Sequence, residues 1–342
     1  PISPPVTGII TGFLRHAISI MRVIRNRPEW GDQPFSPVNS VVAIGNFDGV
    51  HLGHRALLDR CQSVARPGEL TAVVTFEPLP LAFFRPGNAP ARLSTVYQKL
   101  DLLRSAGADL AWQMRFDGKL ASLSAREFVE KVLVNKMQAR AVVVGEDFRF
   151  GRGKAGDVGL LAELGGEFGF SLEIVPAVVC KGERISSSGV REKLARGDFE
   201  SAADFLGRPF SMEGHVCRGA GLGKKLGYPT ANLAIRAEPS PLGGVLAAFS
   251  KASGGPWLPS VTSLGRRPAV GGKETLLEVH FFDFDEDLYG QRLEVQFVAK
   301  LRDEQNFDTL DELVEQMKRD EPRARELLAR AERPNNPKSD SE

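Results

Sequence analysis

The sequence predicts an α/β domain on a doubly wound parallel sheet, followed by a small antiparallel β-barrel domain with a C-terminal helix. Three observations predict it. In the first half, short apolar runs alternate with helical patterns, the order that builds parallel sheets with helices on both faces. Past residue 206, strand-like runs follow one another with only Gly-, Pro- and Asp-rich turns between them. From Thr309 onward an amphipathic helical pattern returns.

In chain order, Val41–Ile44, Thr71–Phe76, Leu110–Met114, Ala141–Gly145 and Ser171–Val175 read as strands. They are short and almost wholly apolar, as strands buried on both faces are. Two helices between them carry capping boxes: Thr95-x-x-Gln98 ahead of Leu100, Leu102 and Leu103, and Ser124-x-x-Glu127 ahead of Phe128, Val129, Val132 and Leu133. Gly107 stops the first. In the second half, Phe210–Arg218, Gly244–Lys251, Trp257–Leu264, Leu276–Phe284 and Leu293–Leu301 give five strands. Thr309-x-x-Glu312, with Leu310, Leu313 and Met317, opens the last helix. The boundary between the two patterns divides the chain into domains at 21–205 and 206–333. Residues 334–342 are polar and expected to be disordered. Residues 1–20 read as an upstream extension, with Met21 as the start.

Composition narrows the possibilities. A chain of 342 residues suits two domains. The net charge of +1 provides no field for nucleic acid or an anionic membrane. Cys61, Cys180 and Cys217 are widely spaced and form no Cys-x-x-Cys pair, which fits a reducing cytoplasm. No apolar run reaches the roughly 20 residues needed to cross a bilayer.

The densest chemistry follows the first strand, in Gly45-Asn46-Phe47-Asp48-Gly49-Val50-His51-Leu52-Gly53-His54. A buried strand runs into a glycine-rich turn that opens a helix, and His51 and His54 share one face of that helix start. The free N–H groups there suit phosphate, and two imidazoles add donors for charge that develops during transfer. Ser186, Ser187 and Ser188 precede a second helix with Arg191 one turn inside, an arrangement that also suits a triphosphate. Thr75-Phe76-Glu77-Pro78 closes the second strand. Gly145-Glu146-Asp147-Phe148-Arg149-Phe150-Gly151 closes the fourth, where aromatic rings beside hydrogen-bonding groups suit a flat heterocycle. Phe76, Asp147 and Phe148 are the candidates for that ligand, with Phe150 assigned to core packing. In the second domain, Gly219 to Asn232 holds Gly221, Gly223 and Lys224 without Walker A spacing. Thr230 and Asn232 point the same way from an extended segment and offer oxygen ligands for a hard cation. Glu278 lies in Leu276-Leu277-Glu278-Val279-His280, either solvent-facing by alternation or a general base.

Taken in order, these motifs resemble the bifunctional prokaryotic riboflavin kinase/FMN adenylyltransferase (FAD synthetase) family from Met21 to about Ala331. The first motif matches the family's G-N-F-D-G-V-H-x-G-H, Gly145 to Gly151 its G-x-[DN]-F-x-F-G, and Pro229-Thr230-Ala231-Asn232 its P-T-A-N. Glu278-Val279-His280 and Leu288-Tyr289-Gly290 match its later elements. The resemblance implies a nucleotidyltransferase domain joining FMN to AMP from ATP, and a barrel phosphorylating riboflavin. It implies that Gly45, Asn46, Phe47, Gly49, His51, His54, Ser187, Ser188 and Arg191 serve the first ATP. It further implies Gly221, Gly223, Lys224, Thr230 and Asn232 for the second, with Mg²⁺ on Thr230 and Asn232 and Glu278 as base. Departures from the family include Leu79 for His, Gly189 for Arg, Leu246 for Tyr, Ser263 for Asn and Ala269 for Thr. Two other readings are a chain with kinase activity alone and a non-catalytic flavin carrier.

Overall fold

The β-branched runs of the first domain assemble, in a computed structural model, into six parallel strands. The structure describes residues 20–25, 39–219, 223, 226–235, 239–269 and 272–334; at 234, 266–269 and 272–274 it describes backbone alone. The expectations for residues 1–19, for the tail at 335–342, and for Gly221 and Lys224 lie outside the described residues.

The sheet comprises β1 (Arg22–Arg25), β2 (Ser40–Ile44), β3 (Leu70–Glu77), β4 (Leu110–Arg115), β5 (Ala139–Gly145) and β6 (Ser171–Val175), in the order β1-β4-β3-β2-β5-β6. Strand β1 was not expected; its Arg22 and Arg25 hide a short edge strand that pairs with β4. Val41 and Ala43 face one core with Leu58 and Cys61 of α1 (Leu52–Val64) and Leu103 of α2 (Val96–Ser105). Val42 and Ile44 face the other, with Leu161 and Leu164 of α3 (Val158–Phe168). Helices on both faces therefore explain the unbroken apolar strands. Both capping boxes form as read. Beyond Phe128 the second helix winds as a π-helix over Val129–Val134.

From β2 the chain proceeds to β3 and β4 on one side, then returns to β5 and β6 on the other. Loops leaving the carboxyl ends of β2 and β5 thus diverge, and a crevice opens where doubly wound sheets bind ligands. A hairpin of β7 (Val179–Cys180) and β8 (Glu183–Arg184) leads into α4 (Ser187–Ala195) and α5 (Phe199–Leu206).

The second unit is a closed barrel of six strands rather than five: β9 (Ser211–Cys217), β10 (Ala231–Ile235), β11 (Gly244–Ala252), β12 (Leu258–Ala269), β13 (Gly272–Phe281) and β14 (Arg292–Arg302). The extra strand β10 begins within the P-T-A-N motif, at Ala231, and the motif's Pro229 and Asn232 mask its strand character in sequence. Inward residues Leu233, Leu246, Leu277, Val279 and Val295 join Val190 and Leu194 of α4 and Phe205 and Leu206 of α5 in one core. That apolar cluster is continuous across residue 206. On the outer surface, Val245, Ala247 and Phe249 pack against Ala324 and Leu328 of α6 (Leu310–Arg330). Thr309 caps α6, accepting from the Glu312 N–H.

Candidate active site

The turn after β2 is held by hydrogen bonds from four directions. The Asn46 carbonyl accepts from Thr75 Oγ1 (3.1 Å) and Lys99 Nζ (3.5 Å). Asp48, 2% exposed, accepts from the Leu93 N–H (3.1 Å) and pairs with Arg191. The Gly49 N–H donates to Ser94 Oγ (3.2 Å), and Ser187 Oγ donates to the Asp48 carbonyl (3.0 Å). Gly49 has φ 79°, and a Cβ there would lie 2.9 Å from Leu93 Cβ, so only glycine serves. Phe47 is buried and its ring sits 5.0 Å from that of His54.

His51 is the N-cap of α1, its Nδ1 accepting from the His54 N–H (3.3 Å). An accepting Nδ1 leaves the proton on Nε2, so this neutral ring presents an N–H donor. The two imidazoles stack with centroids 3.7 Å apart. Burial, followed by the nearby Arg191 and Arg208 cations, pushes His51 down to about 4. Burial pushes His54 well below its usual range, with His51 and Lys99 adding to the effect. Both are therefore neutral at physiological pH, and His54 Nδ1 is buried without a hydrogen-bond partner.

The serines divide their roles. Ser186 caps α4, accepting from the Gly189 N–H (3.1 Å); Ser187 ties α4 to the turn; Ser188 is exposed at the first turn. Arg191 donates to Asp48 and to the Ala91 carbonyl, so it orders the loop as well as adding positive charge. Gly189 has a packing reason: a Cβ there would lie 2.9 Å from Phe205 Cε2, within the core shared with the barrel. Leu79 and Leu246, at two other departures, are buried.

Two of the three flavin candidates, Phe76 and Phe148, are half-buried against the same core as Val42 and Ile44, and the third, Asp147, is exposed. Phe76 is half-buried and meets Phe116 edge-on at 5.8 Å, in a cluster with Phe83 and Phe84 at the end of β3. Phe148 stacks on Phe150 at 5.5 Å, beside the buried Phe128. Asp147 is exposed and accepts from Arg184 Nη2 (2.6 Å) of β8.

Sequence reading missed Lys99, buried in α2, which also contacts Thr75 Oγ1 (3.3 Å) and the Phe76 carbonyl (3.4 Å). Burial outweighs the favourable Glu77 and Asp48 charges and lowers it to about 8. It missed Arg92 too, which grips Glu77 through two hydrogen bonds of 2.6 and 2.7 Å. A Lys in the apolar row of α2 was the available signal for the first.

On the barrel's outer face, Asn232 pairs in register with Glu278, and Glu278 with Ser263 across β12. Leu277 and Val279 turn into the core while Glu278 and His280 line a cavity of about 290 Å³ beside α6. Thr230, Asn232, Gly223 and Arg302 share that lining. Thr230 and Asn232 also border a second cleft of about 360 Å³, with Gly219, Asp287 and Tyr289. The segment thus stands between two cavities. The His280 Nδ1–H donates to the Pro229 carbonyl (2.8 Å), fixing this segment to β13.

The family models described as FAD synthetase and Riboflavin kinase match residues 34–189 and 206–328. The bifunctional riboflavin kinase/FMN adenylyltransferase of Escherichia coli (strain K12) is 44% identical over 289 residues, covering 84% of this chain and 92% of the relative. The chain belongs to the bifunctional riboflavin kinase/FMN adenylyltransferase family. The relative of that name from Pseudomonas fluorescens is 42% identical over 291 residues, covering 84% of this chain and 93% of its own. A crystal structure described as a macrolide-efflux protein from Streptococcus pneumoniae superposes with a TM-score of 0.75 at 29% identity, covering 89% of this chain and 99% of that one. Among the described residues of this family member, no helix is long and apolar enough to cross a membrane.

Proposed function

We propose that this chain phosphorylates riboflavin with ATP at the barrel and adenylylates the resulting FMN with a second ATP at the parallel sheet, releasing pyrophosphate. The observation that supports it is the presence of two separate constellations in one chain. One is a pair of neutral imidazoles at a helix start; the other is a carboxylate in register with Asn232 beside Thr230. Residues 21–205 serve the adenylyl transfer and 206–333 the kinase reaction.

In the kinase, Glu278 accepts the proton of the ribityl hydroxyl as that oxygen attacks the γ-phosphorus of ATP, while the bond from that phosphorus to the bridging oxygen breaks and ADP leaves. Thr230 and Asn232 supply neutral oxygen ligands, and among the described residues no cluster of three His, Cys, Asp or Glu could hold a metal by itself. That donor set fits Mg²⁺, which keeps few protein ligands and shares phosphate oxygens. When bound there, the ion offsets charge on the transferring phosphate.

In the adenylyltransferase, the FMN phosphate is itself the nucleophile, so no covalent protein intermediate is needed. Its oxygen attacks the α-phosphorus while the bond to pyrophosphate breaks. The His51 Nε2–H, the imidazole of His54 and the amides at the starts of α1 and α4 stabilise the added charge. Phe76 and Phe148 offer aromatic surface for the isoalloxazine, with Asp147 at its polar edge. The use of ATP and three unpaired cysteines support a cytoplasmic location.

Incubation with riboflavin, ATP and Mg²⁺ followed by separation of the flavins tests the proposal. FAD is expected. Accumulation of FMN would leave a kinase alone, and unchanged riboflavin would leave a flavin-binding protein.

A further inference from the structure

The turn that presents His51 runs through a backbone region that side chains avoid. Phe47 (φ 50°), Gly49 (φ 79°) and Val50 (φ 40°) are all left-handed, and a β-branched residue there persists only where its surroundings over-determine it. Asp48 and the Gly49 N–H are fixed from within the first domain, by Leu93, Arg191 and Ser94. The next two carbonyls are held from outside it. Arg208 Nη2 donates to the Gly49 carbonyl (2.7 Å) and Nη1 to that of Val50 (3.2 Å), with a third bond from Nη1 to Leu206 (3.2 Å).

Arg208 lies between α5 and β9, on the barrel side of the boundary at 206. Gly207 delivers it there: this residue closes α5 at φ 69°, and a Cβ on it would lie 2.5 Å from Leu52 Cδ2 in the first turn of α1. The linker can thus pass directly over the helix start. The planar fork holds a separate N–H on each of two successive carbonyls in fixed geometry, whereas a lysine would offer one rotatable ammonium on a flexible stem.

We propose that Arg208 is a positioning residue for adenylyl transfer: by holding the Gly49 and Val50 carbonyls it fixes the turn that presents His51 at the start of α1. The proposal rests on the reading of this turn as the adenylyl-transfer centre. The centre is then completed by a side chain belonging to the kinase half. Burial brings Arg208 down to about 10, so it remains a cation at neutral pH. With Arg191 it also faces His51, alongside the stacked His54, with Asp48 and Lys99 beyond, and disfavours protonation of the imidazole.

The test compares full-length wild type with Arg208→Lys and Arg208→Ala, measuring kcat and KM separately for FAD formation from FMN and for FMN formation from riboflavin. Misplacing the donors by a fraction of an ångström predicts a fall in kcat for FAD of about tenfold for lysine and about a hundredfold for alanine. KM for ATP and FMN should change by less than about threefold, because the lost contact touches neither substrate. FMN formation should stay at the wild-type rate and so reports that the chain is folded. Wild-type kcat for FAD in both variants would overturn the proposal. So would a parallel fall of both activities in Arg208→Lys, which would make the residue a general support of the fold. A wild-type protein that forms FMN but no FAD removes the reading of the turn itself, and the proposal with it.

Discussion

Lys99 offers a test in which stability and activity move in opposite directions. Its side chain is 1% exposed, and burial lowers it from 10.5 to about 8 against the pull of Glu77, 3.9 Å away. At about 1.4 kcal/mol per pH unit, that drop corresponds to about 3 kcal/mol of destabilisation at neutral pH. Between pH 8 and 10.5 the folded chain binds fewer protons at this site than the unfolded chain does. Stability therefore rises with pH through that window, and the full cost stands below it. Lys99→Met keeps the length of the side chain and removes the charge. Against the gain, the Phe76 carbonyl loses a donor, at about 1–2 kcal/mol, whereas the Asn46 carbonyl keeps Thr75. A net gain of about 1–2 kcal/mol follows at neutral pH. Urea unfolding of both proteins at pH 7 and near pH 10 measures it, and the advantage should shrink at the higher pH. FAD formation should meanwhile fall, because Lys99 joins the ends of β2 and β3. A variant less stable than wild type at pH 7, or a gap independent of pH, would refute the reasoning. A charge kept at such a cost at the rim of the sheet fits a functional demand.

Three further outcomes are expected. Glu278→Gln should lower FMN formation by about 100- to 10,000-fold while FAD formation from supplied FMN is unchanged, as read by separating the flavins. Asp48→Ala should cost about 3 kcal/mol in thermal unfolding, the low end for breaking a buried pair, because the Arg191 side chain keeps 17% exposure to water. His51, held near 4 against an ordinary 6.5, gives a stability contribution present above pH 6.5 and lost as the pH falls from 6.5 towards 4, because only the unfolded chain takes up a proton there. The rate of FAD formation should accordingly show no histidine limb between about pH 5.5 and 8. A sigmoid near pH 6.5 would show that His51 is not shielded.

Local order carried much of the architecture. The runs Val41–Ile44 and Ala141–Gly145 are strands because β-branched residues buried on both faces can do little else in so short a segment. Thr95 and Ser124 mark helix starts because their capping bonds close within three residues. His51 with His54, and Thr230 with Asn232, could be picked out because their spacing along a helix start or an extended segment places their side chains together, and Glu278 because it is a carboxylate in an apolar run; that Glu278 meets Asn232 came only from strand pairing. The segment β10 escaped because Pro229 just before it and Asn232 within it are residues that strands disfavour.

The sequence alone determined the set of elements and the chemistry each one carries, since propensity, capping and side-chain period act over a few residues. The tertiary structure alone decided which distant groups meet. Lys99 enters the site from α2, Gly189 is required by Phe205, and Arg208 reaches back from the barrel linker to the turn ahead of His51. Those contacts depend on sheet order and on the packing of α4 and α5 into the barrel core. The long-range burial that sets them also turns two ordinary histidines into neutral donors.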